Sequence, residues 1–186
     1  MDGMQYFILA TNEGVVVLRR ERKVWEKVRR GMPDHEFTSV IAREGVILAG
    51  GPEGVFRSTD LGATWEPASE GLEIRHVRWL AYHPSISDFE LAGTEPAGIF
   101  VSRDGAETWR PCPEVIEMRQ EYGWYLPYSP EAGAVRGFAV NGPRAYAAVE
   151  DGCVLVSDDG GEQWRLAEGS LGRPDHAPAE NYVHSD

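Results

Sequence analysis

Several residue types are scarce in this chain of 186 residues, and each scarcity narrows what the protein can be. Its two cysteines, Cys112 and Cys153, do not have the spacing of a disulfide framework, which is consistent with a reducing compartment. We expect both to be small apolar residues of the core. No apolar run has the length of a membrane span, and residues 1–5 carry no basic residue typical of a secretion signal. A cytoplasmic location is therefore the default expectation.

Basic residues are also in short supply. The chain has 18 basic and 30 acidic residues and a formal net charge of -12, which opposes binding to nucleic acid or to an anionic membrane surface. Residues 19–30 are a local exception, with seven basic and two acidic side chains. This segment is either the solvated face of a hairpin or a docking patch for an acidic partner.

Motifs that carry common enzyme chemistry are missing. The sequence contains no glycine-rich phosphate loop, no Cys/His metal-ligand spacing and no nucleophile elbow, and its five histidines share no spacing typical of a metal site. We therefore expect no cofactor and no metal, and assign no catalytic residue.

What is present is a repeat. An eight-residue polar segment that ends in tryptophan occurs at residues 58–65, 102–109 and 157–164, each time after a short apolar run. Together these parts predict a strand, a polar turn and a second strand that bears the tryptophan. A fourth copy, residues 14–25, keeps the apolar strand and the tryptophan but has lost the polar turn residues.

The spacing of the repeat predicts the architecture. The four tryptophans lie at intervals of 40, 44 and 55 residues, which suits units of four short strands, the size of a propeller blade. Two more strand candidates precede each hairpin after the first, so the strands of a unit can be named A to D. The sequence predicts an all-β fold of four antiparallel blades, about residues 1–30, 31–70, 71–112 and 113–168, in a single domain. A helix is allowed only near residues 114–121.

The first and last units raise the question of ring closure. Residues 6–10 match strand B of the later units, so the first unit lacks a strand A. Residues 169–186 form a tail whose Val183-His184-Ser185 aligns with the start of another strand A. Either this segment closes a four-bladed ring, or the chain is part of a propeller with six to eight blades, which we prefer because the last strand is short. An open blade edge would favour self-association.

The pattern Ser-x-Asp-x-Gly-x-Thr-Trp of residues 58–65 resembles the Asp-box, or BNR, repeat of sialidase-like and WD40/YVTN-like β-propellers. The copy at 102–109 has Ala106 in the glycine position, and the copy at 157–164 has Gln163 in place of threonine. The resemblance covers about residues 6–165. It implies the propeller fold and leaves the function open, because the family includes sialidases, xyloglucan hydrolases, sortilin-type receptors and photosystem assembly factors.

The repeated polar segment has a structural logic of its own. Short Ser and Asp side chains can hydrogen-bond backbone N–H groups of their own turn, glycine permits a positive φ, and a buried tryptophan anchors the hairpin. The spacing does not match calcium-binding repeats. In the family this turn lies away from the catalytic pocket, so a structural role is expected for Ser58, Asp60, Gly62, Trp65, Ser102, Asp104, Trp109, Ser157, Asp159, Gly161 and Trp164.

The opposite end of each blade is where a ligand is expected. Ser39, Arg78, Arg136 and His184 align at the head of strand A and would surround the mouth of the central channel. Converging guanidinium groups favour a carboxylate, sulfate or phosphate. The alternative is that each arginine pairs with an acidic residue of a B–C loop and stiffens the contact between blades.

A long connection between the third and fourth units offers a second candidate site. Residues 111–133 concentrate aromatic side chains suited to stacking on sugar rings or holding a peptide, namely Tyr122, Trp124, Tyr125 and Tyr128. The alternative is that these rings fold inward between blades.

The resemblance raises the possibility of sialidase chemistry, which needs three arginines on the substrate carboxylate, a Tyr activated by Glu and an acidic Asp. Only two arginines can be placed, and the Arg-Ile-Pro motif expected in the first blade is absent. We therefore expect a non-catalytic binding or scaffold module for a protein or for an anionic or carbohydrate-like ligand. The alternative is a fragment of an exo-sialidase-like glycoside hydrolase that lacks part of its active site.

Overall fold

A computed structural model of the chain describes residues 5–124, 133–150, 152–170 and 172. These residues form fifteen β-strands and one α-helix. The strands make four antiparallel sheets, each built from consecutive segments of the chain. The prediction of an all-β fold is confirmed, and we call the sheets blades 1 to 4 in chain order.

Blades 1 and 2 are meanders of neighbouring strands. Blade 1 contains three strands in the order β1-β2-β3, and they are β1 (Tyr6–Thr11), β2 (Gly14–Glu21) and β3 (Val24–Gly31). Blade 2 contains four, and they are β4 (Ser39–Arg43), β5 (Val46–Gly51), β6 (Gly54–Ser58) and β7 (Glu66–Pro67).

Blades 3 and 4 repeat the four-stranded arrangement of blade 2. The strands of blade 3 are β8 (Val77–Tyr82), β9 (Glu90–Thr94), β10 (Ile99–Ser102) and β11 (Arg110–Pro111). Those of blade 4 are β12 (Val135–Asn141), β13 (Arg144–Val149), β14 (Val154–Ser157) and β15 (Arg165–Leu166). The outermost strands have only two residues in blades 2 to 4, and each begins just after its tryptophan.

The blades pack side by side. Strands A of blades 2, 3 and 4 are β4, β8 and β12, and β8 contacts both β4 and β12. Blade 1 has no strand A, so its strand B, β1, contacts β4 instead. Apolar side chains fill the space between successive blades in three clusters. Within the ranges that the structure describes, no comparable packing joins β12 to β1, so these four blades form an open arc.

The one helix in the described ranges lies in the connection between blades 3 and 4. It is α1 (Pro113–Tyr122), where the sequence allowed an exception to the all-β pattern. Proline at its first turn supplies a favourable φ, and Gly123 ends it in the left-handed conformation at φ 64°. Val115 is buried in the core between the two blades, and the helix is too short and too polar to cross a membrane.

The polar turn of blade 2 is held by two short side chains. Ser58 Oγ accepts a hydrogen bond from the Gly62 N–H at 2.9 Å and donates to Asp60 Oδ1 at 2.9 Å. Asp60 in turn accepts from the N–H groups of Ala63 and Thr64, both at 2.9 Å, and from the Thr64 hydroxyl at 2.7 Å. A turn of eight residues therefore leaves few of its own N–H groups unsatisfied.

The turns of blades 3 and 4 repeat this pattern. In blade 3, Ser102 Oγ accepts from the Ala106 N–H and Asp104 accepts from Thr108, and in blade 4 Ser157 Oγ accepts from the Gly161 N–H at 2.8 Å. In each turn two successive residues have a positive φ, a conformation that glycine adopts most easily. Both residues are glycine only in blade 4, whereas in blade 3 the second of them is Ala106, at φ 68°.

Hydrogen bonding shifts the acidity of two turn aspartates. The backbone N–H and hydroxyl of Thr64 hold the pKa of Asp60 far below its ordinary value. Burial alone would raise the pKa of Asp104, but hydrogen bonds from Thr108 and Ser102 outweigh it and leave the pKa lowered. Both carboxylates therefore favour the folded state most when they are ionised.

The tryptophans of the repeat differ in depth and in partner. Trp109 and Trp164 are buried, and Trp65 is half-buried. The indole N–H groups of Trp65 and Trp164 donate to glycine carbonyls of their own turns, whereas Trp109 donates to the Ala68 carbonyl of blade 2 at 2.9 Å. In blade 1, where the polar turn residues are missing, Trp25 lies within β3 and is 44% exposed.

Removing the buried turn serine of blade 4 should weaken the fold. We expect Ser157→Ala to lower the free energy of unfolding by about 1–3 kcal/mol, because the buried Gly161 N–H loses its acceptor and Asp159 loses one of its donors. Urea denaturation followed by tryptophan fluorescence measures this difference. Ser85→Ala, in an exposed loop, is the matched control and should change stability by less than about 0.5 kcal/mol. Equal stability of the two variants would contradict the structural role.

The lowered pKa of Asp104 predicts a loss of stability in acid. Its contribution is fully present above the unfolded value of 3.8 and disappears as the pH falls through the lower folded-state pKa. Asp104→Asn should therefore be less stable than the native sequence at pH 7, and the difference should shrink at pH 3. Denaturant titrations at both pH values test this, and a difference that grows in acid would refute it.

Candidate ligand-binding face

The face at which strands A begin and the B–C loops turn is called the top face here. The polar turns of the repeat join strands C and D, so they lie at the other end of each blade. At the top face the pairing of strands A and B is interrupted by a bulge at equivalent places in blades 3 and 4, between Val77 and Trp79 and between Val135 and Gly137. Arg78 and Arg136 are the extra residues of these two bulges.

The bulges correct one part of the sequence alignment. Ser39 does not share the position of Arg78: it pairs with Gly50 in blade 2, as Trp79 pairs with Gly93 in blade 3. The Ser39 hydroxyl is buried and accepts a hydrogen bond from the Leu80 N–H at 2.9 Å. Blade 2 has no bulge here, so the inserted residue shifts the register of blades 3 and 4 by one.

Arg78 makes two contacts through the same nitrogen. Its Nη1 lies 3.4 Å from Glu95 Oε2, on the B–C loop of the same blade, and 3.2 Å from His76 Nε2. Arginine can only donate, so His76 Nε2 accepts and the neutral ring carries its proton on Nδ1. Both side chains of the Arg78–Glu95 pair are largely shielded from solvent.

Arg136 repeats this arrangement one blade further on. Its guanidinium is ion-paired with Glu150, which follows β13 at the B–C loop of blade 4. This pair is more exposed than the pair of Arg78 and Glu95. Two successive blades therefore present an arginine from a bulge against a glutamate from their own B–C loop, which is the pairing that the sequence left open as the alternative to an arginine cluster for an anion.

His76 places the two arginines in one electrostatic neighbourhood. Burial is the main cause that lowers the pKa of His76; the charge of Glu95 raises it, Arg78 lowers it, Glu36 raises it and Arg136 lowers it. Charged side chains at the heads of blades 2, 3 and 4 therefore all act on this one ring. We call Glu36, His76, Arg78, Glu95, Arg136 and Glu150 the top-face cluster.

The aromatic connection packs at the edge of this face. Trp124 is buried, stacks on Tyr122 with ring centroids 6.3 Å apart, and donates its indole N–H to the Gly172 carbonyl. The sequence allowed these rings either to form an exposed platform or to fold inward, and Tyr122 and Trp124 fold inward. Tyr125, Tyr128 and His184 lie outside the residues that the structure describes.

Sequence reasoning missed His76 and Glu36 as members of the site. His76 is one of five histidines that share no spacing typical of a metal site, and Glu36 precedes β4 without any motif around it. The signal that could have found them is position: both stand one to three residues before a strand A, where the blade heads converge. In the part of the chain with described coordinates, no group of three or more His, Cys, Asp or Glu side chains could hold a metal ion.

The top-face cluster can act as a mixed surface of donors and acceptors. Arginine offers five N–H donors and glutamate two acceptor oxygens, so each ion pair has capacity beyond its internal contact. Hydroxyl-rich or zwitterionic groups match such a surface. An isolated carboxylate or phosphate would have to compete with the internal glutamates.

The cluster makes a prediction for the titration of His76. Glu95→Gln should lower the pKa of His76 further, and Arg78→Gln should raise it, because each removes a charge that acts on the ring in the opposite sense. NMR titration of the imidazole resonances measures both shifts. Glu107→Gln removes a carboxylate near the polar turn of blade 3, at the other end of the blade, and serves as the control that should leave this pKa unchanged. Shifts of the same sign in the two test variants would contradict the arrangement.

Comparisons with known proteins identify the fold. No protein-family model matches the sequence, and no curated protein matches it. Solved structures are similar in fold at low identity. YCF48 from Cyanidioschyzon merolae matches 90% of this chain with a TM-score of 0.60 and 14% identity. An ancestral GH74 enzyme matches 70% with a TM-score of 0.55 and 21% identity, and the GH74 xyloglucanase from Xanthomonas campestris matches 88% with a TM-score of 0.55 and 13% identity.

These matches cover only part of each known structure. The chain spans 54% of YCF48, 28% of the Xanthomonas campestris enzyme and 18% of the ancestral enzyme. At these identities the similarity shows the fold alone. The residues that the structure describes form four blades of a β-propeller, with no packing between blade 4 and blade 1 comparable to that between successive blades.

Proposed function

We propose that this chain is a non-catalytic binding module of the Asp-box β-propeller type, and that its top face binds a protein or a carbohydrate-like or anionic ligand. The observation that supports this most is the repeated pair of bulge arginine and loop glutamate in blades 3 and 4. The three polar turns with one shared hydrogen-bond pattern support the assignment to the Asp-box class.

The pairing favours binding over hydrolysis. A glycoside hydrolase of the common type needs a general acid that stays protonated at the working pH and a second carboxylate that faces the same sugar. In this structure the carboxylates of Glu95 and Glu150 are each engaged by an arginine of their own blade. Their oxygens are hydrogen-bond acceptors that a ligand can share with the arginine.

The mixed charge of the cluster favours a ligand with both donors and acceptors. A sugar hydroxyl can donate to a glutamate while it accepts from an arginine, and a peptide backbone offers the same combination. Partly shielded ion pairs also keep their geometry without a ligand, which reduces the entropy lost on binding. We therefore rank neutral or weakly acidic glycans and extended peptides above simple inorganic anions.

A binding test uses the full chain on an array of glycans and peptides, including xyloglucan oligosaccharides and acidic glycans. Arg78→Ala combined with Arg136→Ala should weaken capture at least about tenfold, because both blades lose their donors and leave glutamates unpaired. Arg144→Ala combined with Arg165→Ala removes the same charge from exposed pairs with Asp158 and is the matched control. Equal loss in both double variants, or no loss in either, would refute a top-face site.

Hydrolysis by a glycosidase fragment is a second candidate because GH74 enzymes share the fold. A panel of fluorogenic sialosides and β-glycosides at acid and neutral pH tests it. We expect no turnover above the buffer blank. Turnover that disappears in Glu95→Gln or Glu150→Gln would overturn the binding proposal and assign these carboxylates to catalysis.

A further inference from the structure

A pocket lies between blades 2 and 3, at the end of the blades opposite the top face. It has a volume of about 240 Å³, room for roughly eight water-sized groups. Its walls come from the A–B turn of blade 2, the end of β8 and the polar turn of blade 3, and they include the aliphatic side chain of Val46 and the ring of Tyr82. Neither the top-face cluster nor the proposed function uses this pocket.

Glu90 forms part of the wall and is the least expected residue in it. Its side chain is 2% exposed, and Oε2 has no hydrogen-bond partner among the residues that the structure describes. A buried carboxylate without a full set of partners is costly, so its presence calls for an explanation. Glu90 belongs to none of the motifs found in the sequence, because a single glutamate within a strand forms no recognisable pattern.

The repeat itself shows that the fold does not need a carboxylate here. Glu90 pairs in register with the turn serine Ser102 of strand C. The residue that pairs with the corresponding serine is Ile47 in blade 2 and Ala145 in blade 4. In blade 1 the corresponding strand-B position holds Phe7, opposite Leu18. Three of four blades therefore place an apolar residue where blade 3 places Glu90.

The basic side chains around the pocket are already engaged. Arg43 donates to the backbone carbonyls of His83, Ile86 and Ser87 at 2.6–2.9 Å and covers the ring of Tyr82. Arg57 is paired with Glu66 at 3.0 Å. Neither arginine makes a hydrogen bond to Glu90, although the charge of Arg43 acts on it.

Acidic groups dominate the remaining wall. Besides Glu90, the pocket is lined by the carboxylates of Glu44, Asp88, Asp104 and Glu107. Both carboxylate oxygens of Asp104 already accept hydrogen bonds within the polar turn. With both arginines held by other acceptors, the interior presents a net negative field and one buried oxygen, Glu90 Oε2, that has no donor among the described residues. This is the environment that attracts an organic cation rather than an anion.

We propose that this pocket binds an alkylammonium group, with Glu90 Oε2 as its hydrogen-bond acceptor and counter-charge. An ammonium group has three donors on a compact charge, and a chain of four carbons fits the volume beside Val46 and Tyr82. The source of such a group is a free amine or a lysine side chain of a partner. The two sources share this chemistry.

The titration of Glu90 provides a signature. Burial is the main cause that raises its pKa to about 7; Ser102 and Arg43 lower it, Asp88 raises it, and the Ala106 N–H lowers it. A cation that binds only the ionised form should bind about tenfold more weakly at pH 6 than at pH 8, because the ionised fraction falls by about that factor. Bound cation should also lower the pKa of Glu90.

The test titrates the full chain with n-butylammonium chloride and, separately, with a lysine peptide blocked at both ends, followed by ¹H–¹⁵N NMR at pH 8 and pH 6. Binding at pH 8 that weakens about tenfold at pH 6 supports the site. Tighter binding of the peptide identifies a lysine of a partner as the source, and tighter binding of butylammonium identifies a free amine. Absence of binding for both probes at about 10 mM overturns the proposal.

Two variants separate Glu90 from the general negative charge of the protein. Glu90→Gln should abolish binding, whereas Glu26→Gln, which removes an exposed carboxylate of blade 1 away from the pocket, should retain it within about twofold. Equal binding by Glu90→Gln and the native chain would overturn the proposal. A measurement on the native chain guards against a misfolded variant: the ¹³C shift of the Glu90 carboxyl should titrate at lower pH when butylammonium is present, and an unchanged titration would also overturn it.

Discussion

The structure depends on a small set of hydrogen bonds from buried serines to the polar turns. Ser58, Ser102 and Ser157 are almost fully buried, and each accepts from a backbone N–H four residues later. A hairpin turn of this length would otherwise leave N–H groups without partners under a tryptophan ring. Because the turn closes on itself, the outermost strands can be as short as two residues and still hold their place.

The periodic part of the architecture could be predicted from the sequence. The spacing of the tryptophans and the apolar runs before them predicted four antiparallel blades, and the structure confirms this fold. These features are local, because a strand pattern and its turn lie within about twenty residues. The helix at residues 113–122 was allowed but not expected, since its hydrophobic pattern is weak and its stability comes from packing of Val115 between blades.

The candidate site was less accessible to sequence reasoning. The bulges that carry Arg78 and Arg136 depend on how strand A pairs with strand B, which no residue pattern records. His76 and Glu36 join the cluster because blades 2, 3 and 4 converge, which is a long-range consequence of packing. Glu90 was missed because one buried carboxylate looks like any surface glutamate in the sequence until its burial is known.

The indole of Trp109 ties its blade to the preceding one through the Ala68 carbonyl, whereas Trp65 and Trp164 each close a bond within their own turn. A backbone hydrogen bond strengthens the same junction, because the Glu70 carbonyl accepts from the backbone N–H of Trp109 at 2.8 Å. Blades 2 and 3 are thus joined by backbone groups as well as by side-chain packing. Amide hydrogens of these two blades should exchange with solvent as one cooperative unit, while blade 1, with its exposed tryptophan, opens separately and at lower free energy.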